Sequence, residues 1–360
     1  MILQKRLPIL IALTLVLALG ASARTSPITR ADAAAKVDDF VKSEMSKQSI
    51  PGLTIAVVKE GKIIKAAGYG LANVELNVAA KTDTVYKIGS VSKQFLASGI
   101  MLLAEDGKLS LDDKISKYLD GTPATWSDIT IRHCLTHTSG ILREGPAFAP
   151  YKVQPEADVI KSAYPEPMRF KPGEKWEYCN VGYFILAQII TKQSGKYWGD
   201  FLNERIFAPL DMKSTRVTTL TDLVMNRAGS YYVKDGKFLN ADELTAVRPS
   251  GAFISTVLDL AKYDAALYTE RPLSAKSKKQ MWTPVTLNSG ATHPYGFGWE
   301  LITRDGHTVV HHGGSLSGFR AEFARYIDDR LSIIVLTNGA NATPNSIAKG
   351  IADIYLTTSN

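Results

Sequence analysis

Apolar positions fall into two rhythms along this chain, and the rhythm changes more than once. From Ala33 to Lys47 they recur at helical spacing, with Ala33, Val37, Phe40 and Val41 on one side. Asp32 stands where an N-cap would, and Pro51-Gly52 ends the segment. "LTIAVVKEGKIIKAAGYG" then predicts two strands joined by a turn at Glu60-Gly61. After Gly89 the stretch "SVSKQFLASGIMLLAEDGKLS" returns to the helical period and stops near Gly107. From 108 to about 245, helical segments (111–119, 129–136, 181–195, 198–206) alternate with Pro- and Gly-bearing loops, and strand signals are sparse. Strand patterns return in "YGFGWELI", "HTVVHHGG", "FRAEFARYI" and "LSIIVLTNG", and a helix over Ser346 to Leu356 closes the chain.

Strands at both ends with helices between predict an α+β fold. Its antiparallel sheet, flanked by helices, is built from residues 24–107 and 246–360, and a mainly helical domain at 108–245 is inserted between them. Residues 1–23 stand apart. Lys5 and Arg6 precede an apolar run from Leu7 to Leu19 and then Ala21-Ser22-Ala23, the layout of a cleavable secretory signal peptide. The run is short for a membrane span. The expectation is an exported protein, periplasmic or secreted, with no stable membrane anchor after cleavage.

Composition changes this picture little. The formal charge is +7, or +5 without Lys5 and Arg6, and the basic residues are spread apart from a cluster at Lys276 to Lys279. That cluster reads as a solvated helix end, so no nucleic-acid partner is expected. Cys134 and Cys179 read as small buried side chains rather than a disulfide framework. A monomer is the default.

Candidate chemistry begins with Ser90 and Lys93. On a helix a serine and a lysine three apart share one face, and a nearby base is what activates a hydroxyl. Spacing alone is weak evidence, because S-x-x-K should occur on the order of once or twice by chance in such a chain. It does recur, at Ser346 and Lys349. Companions decide. Among fifteen tyrosines, Y-x-N occurs once, at Tyr178-Cys179-Asn180. A phenol held near cations could act as a general base, and an Asn amide could hold a substrate carbonyl or amide. "HHGGSLSGF" places histidine before glycines that let another backbone come close, as an extended substrate requires.

Together, in the order S-x-x-K, Y-x-N, H-x-G, these stretches resemble the β-lactamase-related serine hydrolase superfamily: class C β-lactamases, penicillin-binding proteins, family VIII carboxylesterases and D-peptidases. "TVYKIGSVSKQF", "LSLDDKISKYL", "ITIRHCLTHTSGI", "KPGEKWEYCNVGY", "PSGAFISTVLDLAKY" and "YGFGWEL" extend the resemblance over about 34–355. It implies a β-lactamase/transpeptidase-like fold with Ser90 as acylated nucleophile, Lys93 as proton acceptor or relay and Tyr178 as general base and then acid. Asn180, His312, Gly314 and Ser315 would hold substrate, with the N–H groups of Ser90 and Ser315 as oxyanion hole. His311-His312-Gly313 also fits H-x-G, although the downstream glycines match better when His312 leads, which would point His311 away from the cleft. No cofactor and no metal is implied.

One departure bears on substrate. His312 stands where β-lactamases usually carry lysine, so the demand for an anionic substrate is weakened. No E-x-x-L-N follows Y-x-N. A small ester, amide or D-peptide is therefore expected as substrate, with the loop at 142–152 shaping the pocket. The alternatives are a class C-like β-lactamase or DD-carboxypeptidase, and a non-catalytic penicillin-binding or cell-wall sensor protein. Among other chemistries, His133 and His137 stand four apart, but Cys134 replaces the glutamate a zincin needs, and G-x-S-x-G is absent.

Overall fold

The computed structural model describes residues 30–219, 221–244 and 246–357, and the signal peptide expected at 1–23 lies outside them. A seven-stranded antiparallel sheet organises the molecule. Three strands come from the first part of the chain: β1 (Gly52–Lys59), β2 (Lys62–Asn73) and β3 (Val78–Ala79). Four come from the last: β4 (Glu300–Arg304), β5 (His307–Leu316), β6 (Phe319–Tyr326) and β7 (Leu331–Thr337). Their spatial order is β4-β5-β6-β7-β1-β2-β3, so the two ends meet where Leu53 of β1 lies opposite Thr337 of β7. This is the α+β architecture, with an antiparallel sheet built from both ends, that the hydrophobic pattern predicts.

Both faces of the sheet are covered, which explains why β1 and β7 read as nearly unbroken apolar runs rather than alternating ones. On the rear face lie helices α1 (Arg30–Gln48) and, at the far end of the chain, α5 (Pro344–Leu356). Val37 and Val41 of α1 and Ile347 and Ile351 of α5 bury against Ile55, Val57 and Val335. The front face packs Ala56, Val310, Phe323 and Ile334 into a larger core with α2 (Lys93–Glu105), α3 (Asn180–Ser194) and α4 (Val257–Ala266). Each fully buried aliphatic side chain contributes roughly 1.5–3 kcal/mol, so these two clusters dominate the fold's stability.

Local expectations hold where turn chemistry is explicit. Glu60 and Gly61 both have positive φ, 53° and 74°, as the tight hairpin between β1 and β2 requires. They fail where backbone partners come from elsewhere. Residues 111–119 bury Leu111, Ile115 and Tyr118 at helical spacing, yet only Ile115–Lys117 forms a 3₁₀ turn. The backbone there pairs with 129–132 instead: Ile115 N donates to Ile129 O and Arg132 N to Leu111 O. Residues 295–299 likewise turn before β4 begins, because Gly298 (φ 75°) passes over the first turn of α2, where a Cβ would lie 2.8 Å from Lys93 O. Asp32 lies inside the first turn of α1, where its charge suits the helix dipole, rather than at its cap. Cys134 and Cys179 are buried free thiols.

Candidate active site

Ser90 sits on a 3₁₀ turn, Gly89–Ser92, that runs directly into α2 at Lys93. Two glycines permit the turn to touch β5 backbone to backbone. Gly89 has φ 52°, and a Cβ there would lie 2.6 Å from Ser315 N. A Cβ on Gly314 would lie 2.0 Å from Ile88 O. The close approach that the glycine-rich stretch permits is thus used in part by the protein's own nucleophile turn, which brings Ser315 beside Ser90.

Lys93 is completely buried, with its Nζ 3.1 Å from Ser90 Oγ and 3.0 Å from Ser250 O. Among the described residues no carboxylate forms an ion pair with it. Burial holds its pKa well below the usual lysine range, and Arg248 and Arg143 push it the same way while Glu144 opposes them. The amine donates to both the Ser250 carbonyl and the Ser90 hydroxyl oxygen, and a neutral amine in this place can take the hydroxyl hydrogen instead.

Tyr178 and Asn180 stand at the N-terminus of α3, whose N-cap is Cys179, with Gly182 N donating to its Sγ (3.3 Å). The loop is zipped to residues 137–143: Glu177 N donates to His137 O (3.0 Å) and Asn180 N to Arg143 O (2.9 Å). Lys93 Nζ lies 4.7 Å from the Tyr178 ring centroid, and the Arg143 guanidinium packs 5.0 Å from it. Burial nonetheless raises the Tyr178 pKa above the ordinary phenol value, outweighing its hydrogen bonding to Ser90 and the two arginines. Burial thus pushes the lysine down and the phenol up, biasing each toward its neutral form. Asn180 Nδ2 donates to Glu144 Oε1 (2.5 Å), and Glu144 also pairs with Arg248.

On β5, His312 and Gly314 face the front core and His311 faces the rear, as alternation predicts once His312 leads the third motif. His312 is almost fully buried, and both ring nitrogens are engaged: Nδ1 lies 2.7 Å from Gly313 O and Nε2 3.1 Å from Tyr295 Oη. Burial lowers its pKa to about 3. With both ring nitrogens engaged, His312 has none free to donate to substrate. His311, also buried, differs in its partners. Burial alone would depress it, but its hydrogen bond to Glu322 (2.8 Å) and the charges of Glu322 and Glu300 raise its pKa.

Ser90, Tyr178 and Asn180 open onto one cleft of about 660 Å³ with Arg143, Glu144 and Arg248. The last three carry no motif, and only the loop position of Arg143 and Glu144 hints at them. His133 and His137 diverge. His133 closes a capping box with Thr130, whereas His137 is fully buried beyond that helix with φ 60°.

Known proteins resemble this chain along most of its length. The β-lactamase family model matches residues 37–355, and the chain belongs to that family, whose relatives include serine hydrolases. It is 35% identical over 307 residues to penicillin-binding protein 4* of Bacillus subtilis (strain 168), covering 79% of this chain and 67% of that protein. With the D-aminopeptidase of Brucella anthropi it shares 28% identity over 312 residues, 84% of this chain but 59% of that one. The chain thus spans only about two thirds or less of these relatives' lengths. The octameric penicillin-binding protein homologue from Pyrococcus abyssi superimposes with a TM-score of 0.79 at 27% identity, covering 91% of this chain and 77% of that chain.

Proposed function

We propose that this member of the β-lactamase family is a hydrolase that works through an acyl-enzyme on Ser90, with small esters or D-amino-acid amides and peptides as acyl donors. The observation that carries the reading is the buried, uncompensated Lys93 amine 3.1 Å from the Ser90 hydroxyl. Lys93 takes the proton as Ser90 Oγ bonds to the substrate carbonyl carbon. The oxyanion is met by the backbone N–H groups of Ser90 and Ser315. Tyr178, held as a phenol by burial, gives its proton to the leaving oxygen or nitrogen and is resupplied from the Lys93 ammonium. Water then attacks the ester by the reverse proton path. Asn180, fixed through Nδ2 by Glu144, offers its Oδ1 to the substrate. His312 and Gly314 act through the backbone of β5.

The absence of a cation at His312 supports esters and amides over obligate carboxylate substrates, and the D-aminopeptidase relative agrees with the amide side of this choice. A second reading, a class C-like β-lactamase or DD-carboxypeptidase, is favoured by Arg143 and Arg248 flanking the cleft, which could meet a carboxylate in place of the usual lysine. Export, a monomeric state and an inserted domain at 108–245 belong to the same proposal. No described helix is long and apolar enough to cross a membrane.

The test is intact mass and turnover of purified protein with p-nitrophenyl acetate, D-amino-acid amides and nitrocefin. An acyl adduct that Ser90→Ala abolishes, with esters or amides turned over faster than nitrocefin, is expected. Adducts without turnover would support a sensor instead, and faster nitrocefin hydrolysis the β-lactamase reading.

A further inference from the structure

The proposed chemistry leaves two fully buried polar rings unused, His137 and Tyr295. They stand in the middle of a series of hydrogen bonds, which Tyr183 meets at Tyr295. Cys179 N donates to His137 Nδ1 (3.0 Å). His137 Nε2 lies 3.1 Å from Tyr295 Oη, which lies 3.1 Å from His312 Nε2. His312 Nδ1 lies 2.7 Å from Gly313 O.

The ends of the series are fixed by chemistry, because a backbone N–H only donates and a carbonyl only accepts. With neutral rings everything between follows. His312 carries its proton on Nδ1 and presents the Nε2 lone pair to Tyr295. Tyr295 gives its hydroxyl hydrogen to that lone pair and receives one from His137 Nε2. His137 keeps Nδ1 bare to accept from Cys179. Every donor points the same way, from the backbone between Tyr178 and Asn180 toward β5. The His137 ring also packs against Tyr178, with centroids 4.3 Å apart.

We infer that His137 and Tyr295 are positioning residues: they lock His312 in its Nδ1–H tautomer and tie the loop carrying Tyr178 and Asn180 to strand β5, so that the third motif serves substrate through its backbone. Two walls of the cleft that are far apart in sequence are thereby held in register by groups that touch no substrate. All three rings of the series are buried, so interrupting it leaves a buried polar group without a partner rather than a solvated one. The kinetic consequence rests on the function proposed above, whereas the tautomer does not.

Long-range ¹H–¹⁵N correlation spectra of the whole protein, ¹⁵N-labelled at histidine and recorded near neutral pH, test it directly. His312 is expected as the Nδ1–H tautomer and His137 as the opposite, Nε2–H tautomer. Tyr295→Phe removes one oxygen and should change the His312 signature, with KM for an ester rising about tenfold and kcat falling less, the usual worth of one such hydrogen bond. His137→Gln, whose amide can still donate to Tyr295, should keep the His312 tautomer, and His137→Phe should lose it. Observation of His312 as the Nε2–H tautomer or as imidazolium in the unmodified protein would overturn the inference. So would a Tyr295→Phe variant with an unchanged His312 signature. A protein inactive on every substrate would count against the proposed hydrolase and leave the spectra to decide this point.

Discussion

The chain carries the same four-residue pattern twice, and the structure gives the two copies opposite electrostatics. Ser90-Val91-Ser92-Lys93 enters α2, and Ser346-Ile347-Ala348-Lys349 lies in the first turns of α5, at the rim of the same cleft. Lys93 has no exposure and meets a hydroxyl and a carbonyl. The Lys349 side chain is 42% exposed and pairs with Asp353 at 2.8 Å and Asp305 at 3.0 Å. Burial pushes the pKa of the first lysine down, while hydrogen bonds to the two aspartates raise that of the second. Spacing on a helix supplies proximity, and the surroundings decide whether the amine is a base or an ion.

The largest effect that sharpens this contrast is on activity. Ser90→Ala should abolish acyl-adduct formation. Lys93→Met should reduce turnover by about 10³-fold or more, because members of one catalytic unit lose most of their effect together. Ser346→Ala should leave both unchanged. Steady-state kinetics and intact mass check all three, and an inactive Ser346→Ala would reverse the assignment.

Stability should move the other way. Folding takes the Lys93 amine out of water, a cost that methionine of similar volume does not carry, offset in part by the lost bond to Ser250 O. A net gain on the order of 1 to 2 kcal/mol is expected for Lys93→Met, read as a raised urea midpoint. The sign of its pH dependence follows from linkage. With the folded pKa depressed, the unfolded chain binds more protons up to the ordinary lysine value of about 10.4, so the unmodified protein gains stability as pH rises through that window. The advantage of the variant should shrink accordingly.

A finer test addresses what surrounds Lys93. Acylation needs the neutral amine, so its rate should rise with pH through the Lys93 pKa. Arg248 lowers that pKa and Glu144 raises it. Arg248→Gln should therefore move the acidic limb of kcat/KM to higher pH, and Glu144→Gln should move it to lower pH. Shifts in the same direction would remove electrostatic tuning as the explanation.

What could be read from the sequence follows from the same distinction. The sheet was legible because β1 and β7 are apolar on both faces and Glu60-Gly61 announces its turn. Ser90, Tyr178 and Asn180 were legible as candidates because spacing and turn residues are local. Protonation was not. The phenol of Tyr178 is pushed up by burial despite the arginines beside it. Glu144 and Arg248 meet across 104 positions of sequence, and the state of His312 depends on Tyr295 and, through it, on His137, 158 positions from Tyr295. Residues 111–119 mislead for a related reason. Their side chains keep helical spacing while their backbone is claimed by 129–132.

The smallest expected effect concerns Lys349 itself. Its raised pKa means that the pairing with Asp353 and Asp305 stabilises the fold fully below the ordinary lysine value and is lost as pH rises through the folded one. Both partners are well exposed, however, with side-chain exposures of 45% for Asp353 and 68% for Asp305, so water and salt screen most of the attraction. Lys349→Met should cost less than about 1 kcal/mol in urea titrations at low salt, and the difference should fade near 0.5 M salt. Activity should stay at the level of the unmodified protein, because no proton of the reaction passes through this amine. A loss of turnover comparable to that of Lys93→Met would show that the second pattern contributes chemistry at the rim of the cleft, and the contrast between buried base and exposed ion would have to be abandoned.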